Sequence, residues 1–415
     1  MPHAKAQSRK GLRQAAIALA AALLVGNESR AQEAILADGT RIQDATLTAA
    51  TFDNSRSEAT FTVSGEPRTT RNLVRWGEPK PPVNRPGVIL ADGSRLFSDR
   101  DWAPNGLLQL FDDEDIVRLR RNLGWVELGR EKVRWLLLTP SAAGLEVERL
   151  PETILTTDDL VFLAGGDQIA GRVERLSAGT LTVTVAGQPI ETPLEKVAAV
   201  RLGDDDADAD SPACLVGLSD GSLVKASRLV AQQDSTELTL GGVTAVVPTD
   251  ALAFVQPLVG TTRYLSDIEP IDYRHTPYLD LAWPYARDHG LSGGPLVGGG
   301  RRAAKGLAMH SAARLVYRLD GTPQRFQAEL AVADPEPAAA DTGSVAFRVY
   351  LVKDGGFQAA YEGPTQRVGE PAVPIDLDVT GAAAIALVID YADDGDAGDD
   401  ALWLDARLVP TARGG

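Results

Sequence analysis

The sequence predicts an all-β chain, with tandem small SH3-like or curved β units followed by a C-terminal jelly-roll β-sandwich. Three observations point there. Four segments between Gln32 and Pro257 repeat one strand–turn–strand pattern around a glycine. At least six strands of alternating apolar and polar residues follow after Thr262, at 8–15-residue spacing. Neither part carries a long helical period in its apolar residues.

The four repeated segments open on Ile35-Leu36-Ala37-Asp38-Gly39, Ile89-Leu90-Ala91-Asp92-Gly93, Phe162-Leu163-Ala164-Gly165-Gly166 and Gly217-Leu218-Ser219-Asp220-Gly221. Asp-Gly and Gly-Gly between apolar runs are a strong hairpin signal, because both residues accept positive φ. Each segment closes on another apolar strand: Leu73–Trp76, Val133–Leu136, Val197–Leu202 and Ala251–Val255. Counting from Gly39 to Gly93, Gly166 and Gly221, the steps are 54, 73 and 55 residues. A period near 50 marks repeated supersecondary units. We place them at 32–78, 86–138, 159–203 and 213–258. The long middle step suggests two sequential pairs, joined by a linker over 139–158 that holds Pro140 and Pro151. Units this small bury little surface alone and are expected to pack on one another. A proline-rich joint spans 77–87. A second joint at 203–212 carries Asp204, Asp205, Asp206, Asp208 and Asp210, whose mutual repulsion favours a solvated loop over a calcium loop.

The texture changes at Thr262. An aromatic and histidine run holds Tyr273, His275, Tyr278, Trp283, Tyr285 and His289, and a glycine-rich loop over 290–300 follows. Next comes the stretch Lys305-Gly306-Leu307-Ala308-Met309-His310-Ser311-Ala312-Ala313-Arg314-Leu315-Val316-Tyr317-Arg318-Leu319. Its Lys-Gly pair suits a close backbone approach. Its second half alternates as a strand, which puts His310 in a short loop or at a strand edge. Further strands are Arg325–Val332, Ser344–Tyr350, Ile375–Val379, Ala384–Asp390 and Ala401–Leu408, with Asp354-Gly355-Gly356 as a hairpin turn. This is the pattern of a β-sandwich over 262–410.

Composition narrows the function. With 415 residues and 44% hydrophobic content the chain is globular and long enough for several cores. Its formal net charge is −16. That argues against nucleic acid as a partner, since phosphates call for Lys and Arg, and against electrostatic docking on anionic membranes. Residues 1–31 run against the trend. Lys5, Arg9, Lys10 and Arg13 precede the apolar run Ala15–Val25, and Ser29-Arg30-Ala31 follows. This has the form of a secretory signal peptide, so we expect an exported protein (periplasmic, cell-surface or secreted) with no membrane span once the segment is removed. An uncleaved anchor is the rival reading. Cys214 is the single cysteine, in the apolar context Ala213-Cys214-Leu215-Val216, and reads as a buried hydrophobe.

From Thr262 to Pro410, about a third of the chain, the order of motifs resembles the NPCBM family, carbohydrate-binding modules related to galactose-binding β-sandwiches. Tyr264-Leu265-Ser266-Asp267 looks like the opening, Lys305–His310 the central motif and Arg314–Leu319 its strand. Arg325–Asp334, Gly343–Val349 and Asp399–Leu408 look like the strands that follow. Ala308 departs from the motif's usual second glycine, and Pro335–Ala340 is an insertion in the usual short acidic turn. The resemblance implies a carbohydrate ligand.

Such a ligand calls for an aromatic ring against the apolar face of a pyranose and a few fixed polar groups for its hydroxyls. Trp283, Trp403, Tyr273 and Tyr278 are the platform candidates. His310, Asp267, Arg314 and Asp334 are the hydrogen-bonding candidates. Two readings stay open for Trp403, which has Leu402 and Leu404 beside it and suits a core position. Two stay open for His310, which suits a structural histidine holding a loop to the sheet. The acidic cluster around Asp394, Asp396 and Asp399 suits a structural calcium or a solvated loop; its spacing is not that of an EF-hand. No other cofactor is indicated. The sequence holds no H-E-x-x-H or phosphate-binding glycine loop, and its G-x-S-x-G matches, 217–221 and 290–294, fall in a hairpin turn and a glycine-rich loop rather than on a strand-to-helix elbow. We therefore expect a non-catalytic protein. A structural surface protein that binds cell-envelope proteins and a glycan-processing enzyme are the alternatives.

Overall fold

The computed structural model describes residues 31–98, 107–111, 115–121, 124–150, 158–177, 179–203, 211–277, 282–322, 324–335, 342–393 and 395–411. The leader expected over 1–31, the aspartates of 204–210, Tyr278 and Asp394 lie outside the described residues, Ala31 excepted. What is described is all-β.

The first unit is Gln32–Leu36, Arg41–Phe52, Ser57–Val63, Glu66–Thr70 and Leu73–Gly77. Its first strand pairs with the second and the fifth, the second with the third, and the third with the fourth. In the other units the closing strands Val133–Leu137, Val197–Arg201 and Leu252–Pro257 pair in the same way with the opening strands Gly87–Leu90, Asp159–Leu163 and Cys214–Leu218. The second strand is continuous in the first and third units. It is broken in the other two, into Arg95–Phe97 with Leu108–Phe111 and Leu223–Ala226 with Arg228–Ala231. The opening turns are the same turn four times. The amides of Leu36, Leu90, Leu163 and Leu218 donate to the carbonyls of Thr40, Ser94, Asp167 and Ser222 at 2.8–2.9 Å. Asp38, Asp92 and Asp220 each accept the amide two residues on, which stabilises the bend from the side chain.

The pairing of units differs from the sequential order expected. The first unit joins the fourth, closing strand to closing strand (Trp76↔Val255) and second strand to second strand (Phe52↔Leu229). The second joins the third by the same two contacts, Trp135↔Arg201 and Phe111↔Arg175. The pairs are nested, not consecutive. The reason is edge complementarity: each closing strand leaves an open edge, and its match is the closing strand of another unit. Spacing along the chain measures only the length of the connections. Gly77 lies where the outer pair meets. A Cβ there would fall 2.0 Å from the Ala253 carbonyl oxygen, so only glycine admits the contact. Side chains from all four units, from Ala34 to Val255, form one core that includes Cys214.

The C-terminal part is a sandwich. One sheet runs Ala286–Arg287, Gly306–His310, Asp400–Pro410, Gln324–Val332, Val373–Asp378; the other runs Asp272–His275, Ala313–Arg318, Ala384–Tyr391, Ser344–Lys353, Gly356–Arg367. Leu307, Leu315, Tyr317, Phe326, Phe347 and Trp403 fill the space between them. Gly306 sits where the Lys-Gly pair required a close approach, its Cα side 2.7 Å from the Trp403 carbonyl oxygen as measured from an added Cβ. Ala308 packs outside that sheet with Leu296, Leu402 and Leu404.

The sandwich and the tandem units are joined by a buried ionic network. Arg75 of the first unit contacts Asp405 at 3.0 Å and Glu33 at 3.2 Å. Arg301 contacts Glu33, Glu78 and Glu329 at 2.9–3.1 Å. Gln256 of the fourth unit donates to Asp405 at 2.8 Å, and Tyr264 donates to the Val74 carbonyl at 3.3 Å. Burial pushes the Asp405 carboxyl up in pKa and the Arg407 guanidinium down, despite their opposite charges. Such a network is costly to desolvate and is retained only where nearly every group finds a partner.

Candidate functional site

His310 is the last residue of Gly306–His310, and Ala313–Arg318 begins in the opposite sheet three residues later. The chain crosses between sheets through Ser311 and Ala312, the latter at φ 55°. This corner places His310 at the rim. Asp272–His275 pairs with Ala313–Arg318, His275 against Ala313, and so brings a second imidazole to the corner. The two imidazoles meet edge to face, centroids 5.8 Å apart. Trp283 then lies flat on His310, with centroids 5.4 Å apart and planes 8° from parallel.

Hydrogen bonds lock this group. The Trp283 amide donates to His275 Nδ1 at 3.1 Å, so the imidazole proton lies on Nε2, which faces the Ser311 carbonyl at 3.1 Å. The Tyr273 hydroxyl donates to the Trp283 carbonyl at 2.5 Å, and its ring packs on Tyr285. Burial raises the Tyr273 phenol to about 12. His275 is held below its usual value by burial first and by His310 second, against a smaller opposing pull from the Ser311 carbonyl and Asp396. It is therefore a neutral acceptor near pH 7. Trp283 remains 37% exposed. His310 is buried, and among the described residues its Nδ1 and the Ser311 hydroxyl have no hydrogen-bond partner. Each such group costs about 1–3 kcal/mol until something satisfies it.

Of the expected binding residues, the structure brings Trp283 and His310 together. Trp403 is a correction: it is fully buried between Phe326 and Phe347, where no sugar can stack on it. Asp267 contacts Lys305, at the far end of the His310 strand, roughly 15 Å away at the usual strand rise. Arg314 is exposed on the outer face of its sheet and contacts Asp272 at 2.5 Å. Asp334 is exposed at the same end as His310 but near Val297, two strands across. Among the expected metal ligands, Asp399 is buried and accepts the Ser344 amide at 2.9 Å. Asp396 lies in a half-exposed turn. Among the described residues no group of three His, Cys, Asp or Glu side chains is arranged to hold a metal ion. His275 and Ser311 are site residues that the sequence reading did not select. The only signal for His275 was its place in the aromatic run.

One family model, the NPCBM/NEW2 domain, matches residues 261–409, the stretch that holds the sandwich and its corner histidine. The C-terminal third is an NPCBM domain. Solved structures similar to this chain include the CBM51-2 and INT domains of Clostridium perfringens ZmpB in complex with GlcNAc (24% identity, 44% of this chain, 37% of that chain, TM-score 0.31). A CBM51 from Clostridium perfringens GH95 in complex with methyl-galactose is another (21%, 36% and 99%, TM-score 0.31). The tandem CBM51 modules of the family 98 glycoside hydrolase Sp3GH98 from Streptococcus pneumoniae are a third (13%, 91% and 99%, TM-score 0.29). The chain thus spans about a third of the first of these. No curated protein matches it. Among the described residues, no helix is long and apolar enough to cross a membrane.

Proposed function

We propose that this is an exported, non-catalytic carbohydrate-binding protein whose NPCBM domain takes a pyranose at the Trp283–His310 corner. The observation that carries the reading is the exposed indole stacked on His310, on a backbone that Tyr273 and His275 hold by hydrogen bonds. With one face on the imidazole, the indole offers its remaining face and edge to an apolar sugar face. A small displacement of the ring would let sugar hydroxyls reach the unpartnered His310 Nδ1 and Ser311 hydroxyl. The NPCBM match supports the ligand class, and the form of residues 1–31 supports export. Both stretches that match G-x-S-x-G, 217–221 and 290–294, lead into strands and not into the helix a nucleophile elbow needs, which supports a binding role.

The test is a glycan array probed with the full chain and with Trp283→Ala. Wild type is expected to retain neutral glycans, and the variant to bind them at least about tenfold more weakly, the worth of a good stacking contact. An equally strong signal from Trp283→Ala sinks the proposal.

A further inference from the structure

The second unit, the linker after it, the fourth unit and the NPCBM domain meet around a cavity of about 790 Å³. It lies at the Lys305 end of the domain, away from the Trp283 corner. Its wall holds six Arg and Lys side chains, among them Arg95, Arg302 and Lys305, against four carboxylates, among them Glu148. In a chain of net charge −16 that concentration of cations is out of character.

Most of these charges are answered. Lys305 contacts Asp267 and Asp288, and the Lys225 ammonium donates to the Asp92 carbonyl. Arg302 uses both guanidinium nitrogens on Glu148, at 2.7 and 3.3 Å. Arg95 is the exception. Its side chain is 16% exposed, and its contact is Glu148 Oε1 at 3.5 Å, the oxygen that already accepts from Arg302. That is too long for a good hydrogen bond, and among the described residues Arg95 has no other charged partner. Two guanidiniums therefore share one carboxylate in a largely desolvated wall. Burial, then the adjacent Arg302, draw the Arg95 pKa below its ordinary value despite Glu148. Guanidinium presents its donors as a planar fork that fits the paired oxygens of an oxyanion. The cavity falls within the roughly 300–1,000 Å³ range of small-molecule sites.

We propose that this cavity binds an oxyanion-bearing ligand (a carboxylate, sulfate or phosphate group) through Arg95, with Arg302 beside it. The site is separate from the sugar corner and stands whether or not that corner binds glycan.

The experiment is calorimetric titration of the full chain with citrate, inorganic sulfate and inorganic phosphate in low-salt buffer. At least one is expected to bind. Citrate alone assigns carboxylate recognition, and sulfate or phosphate alone assigns a tetrahedral anion. Arg95→Gln is expected to weaken binding at least about tenfold, the loss of one charge-assisted hydrogen bond. Glu148→Gln removes the competing carboxylate and is expected to tighten binding by a similar factor. The second variant decides the matter if the first does not fold. Absence of heat with all three anions overturns the proposal. So does unchanged affinity in Arg95→Gln, or unchanged or weaker affinity in folded Glu148→Gln.

Discussion

Asp405→Asn tests the junction between the tandem units and the NPCBM domain. Asparagine preserves the shape, can still accept from Gln256 and tolerates the φ of 50° at this position. Only the charge is lost. At 3.0 Å from Arg75, and with an effective dielectric near 20, the gross attraction is about 5 kcal/mol. Two effects reduce the net loss. Burial already penalises the Asp405 carboxylate, as its raised pKa shows. Arg75 also keeps Glu33 at 3.2 Å and Glu329 at 3.6 Å. Removing one partner from a buried pair costs about 3–5 kcal/mol, and with this compensation we expect about 2–4 kcal/mol. The assay is urea unfolding of the full chain, followed by circular dichroism and tryptophan emission. The midpoint should fall, and the tandem units and the sandwich should begin to unfold in separate steps. A loss under about 0.5 kcal/mol with one transition would show that the network does not hold the two parts together.

Trp403→Ala is expected to destabilise the sandwich by about 3–5 kcal/mol in the same assay, as a core deletion does. Acid should loosen the Trp283–His310 corner. The His275 pKa is lowered in the folded state, so its stabilising share is present above the unfolded value of about 6.5 and is lost as pH falls through the lower folded value. Protonation also removes the acceptor for the Trp283 amide. Tryptophan emission should therefore change below about pH 6.5 in wild type and not in His275→Gln. For calcium at Asp394, Asp396 and Asp399, the check is the melting temperature of EDTA-treated protein before and after calcium is added. With Asp399 engaged by the Ser344 amide, no rise is expected, and a rise of several degrees would establish the ion.

The hairpin turns were legible because their chemistry is local. Asp38, Asp92 and Asp220 act on backbone amides two residues away, and that relation is written in consecutive letters. The sandwich strands were legible for the same reason, as alternation shows which face is buried. Nested pairing was not, because the match of Trp76 to Val255 joins strands far apart in the chain. Trp403 misled because Asp400–Pro410 is buried on both faces, so alternation had nothing to report. Asp405 and Arg407 would suit a solvated face, yet they lie against the tandem units. Alternation left His310 in a short loop or at a strand edge, and the structure makes it the last residue of Gly306–His310, whereas its stack with Trp283 depends on a fold-back across the aromatic run.

The central claim is that a sugar occupies the corner of the NPCBM domain, and its most direct test is histidine-selective NMR. His275, His289 and His310 are the histidines beyond residue 31, and His289 lies outside the corner, where its ring meets the Gly290 carbonyl. On titration with a neutral glycan retained by the array, the imidazole signals of His275 and His310 should shift while that of His289 stays in place. Shifts confined to His289, or none at saturating glycan, would contradict the account.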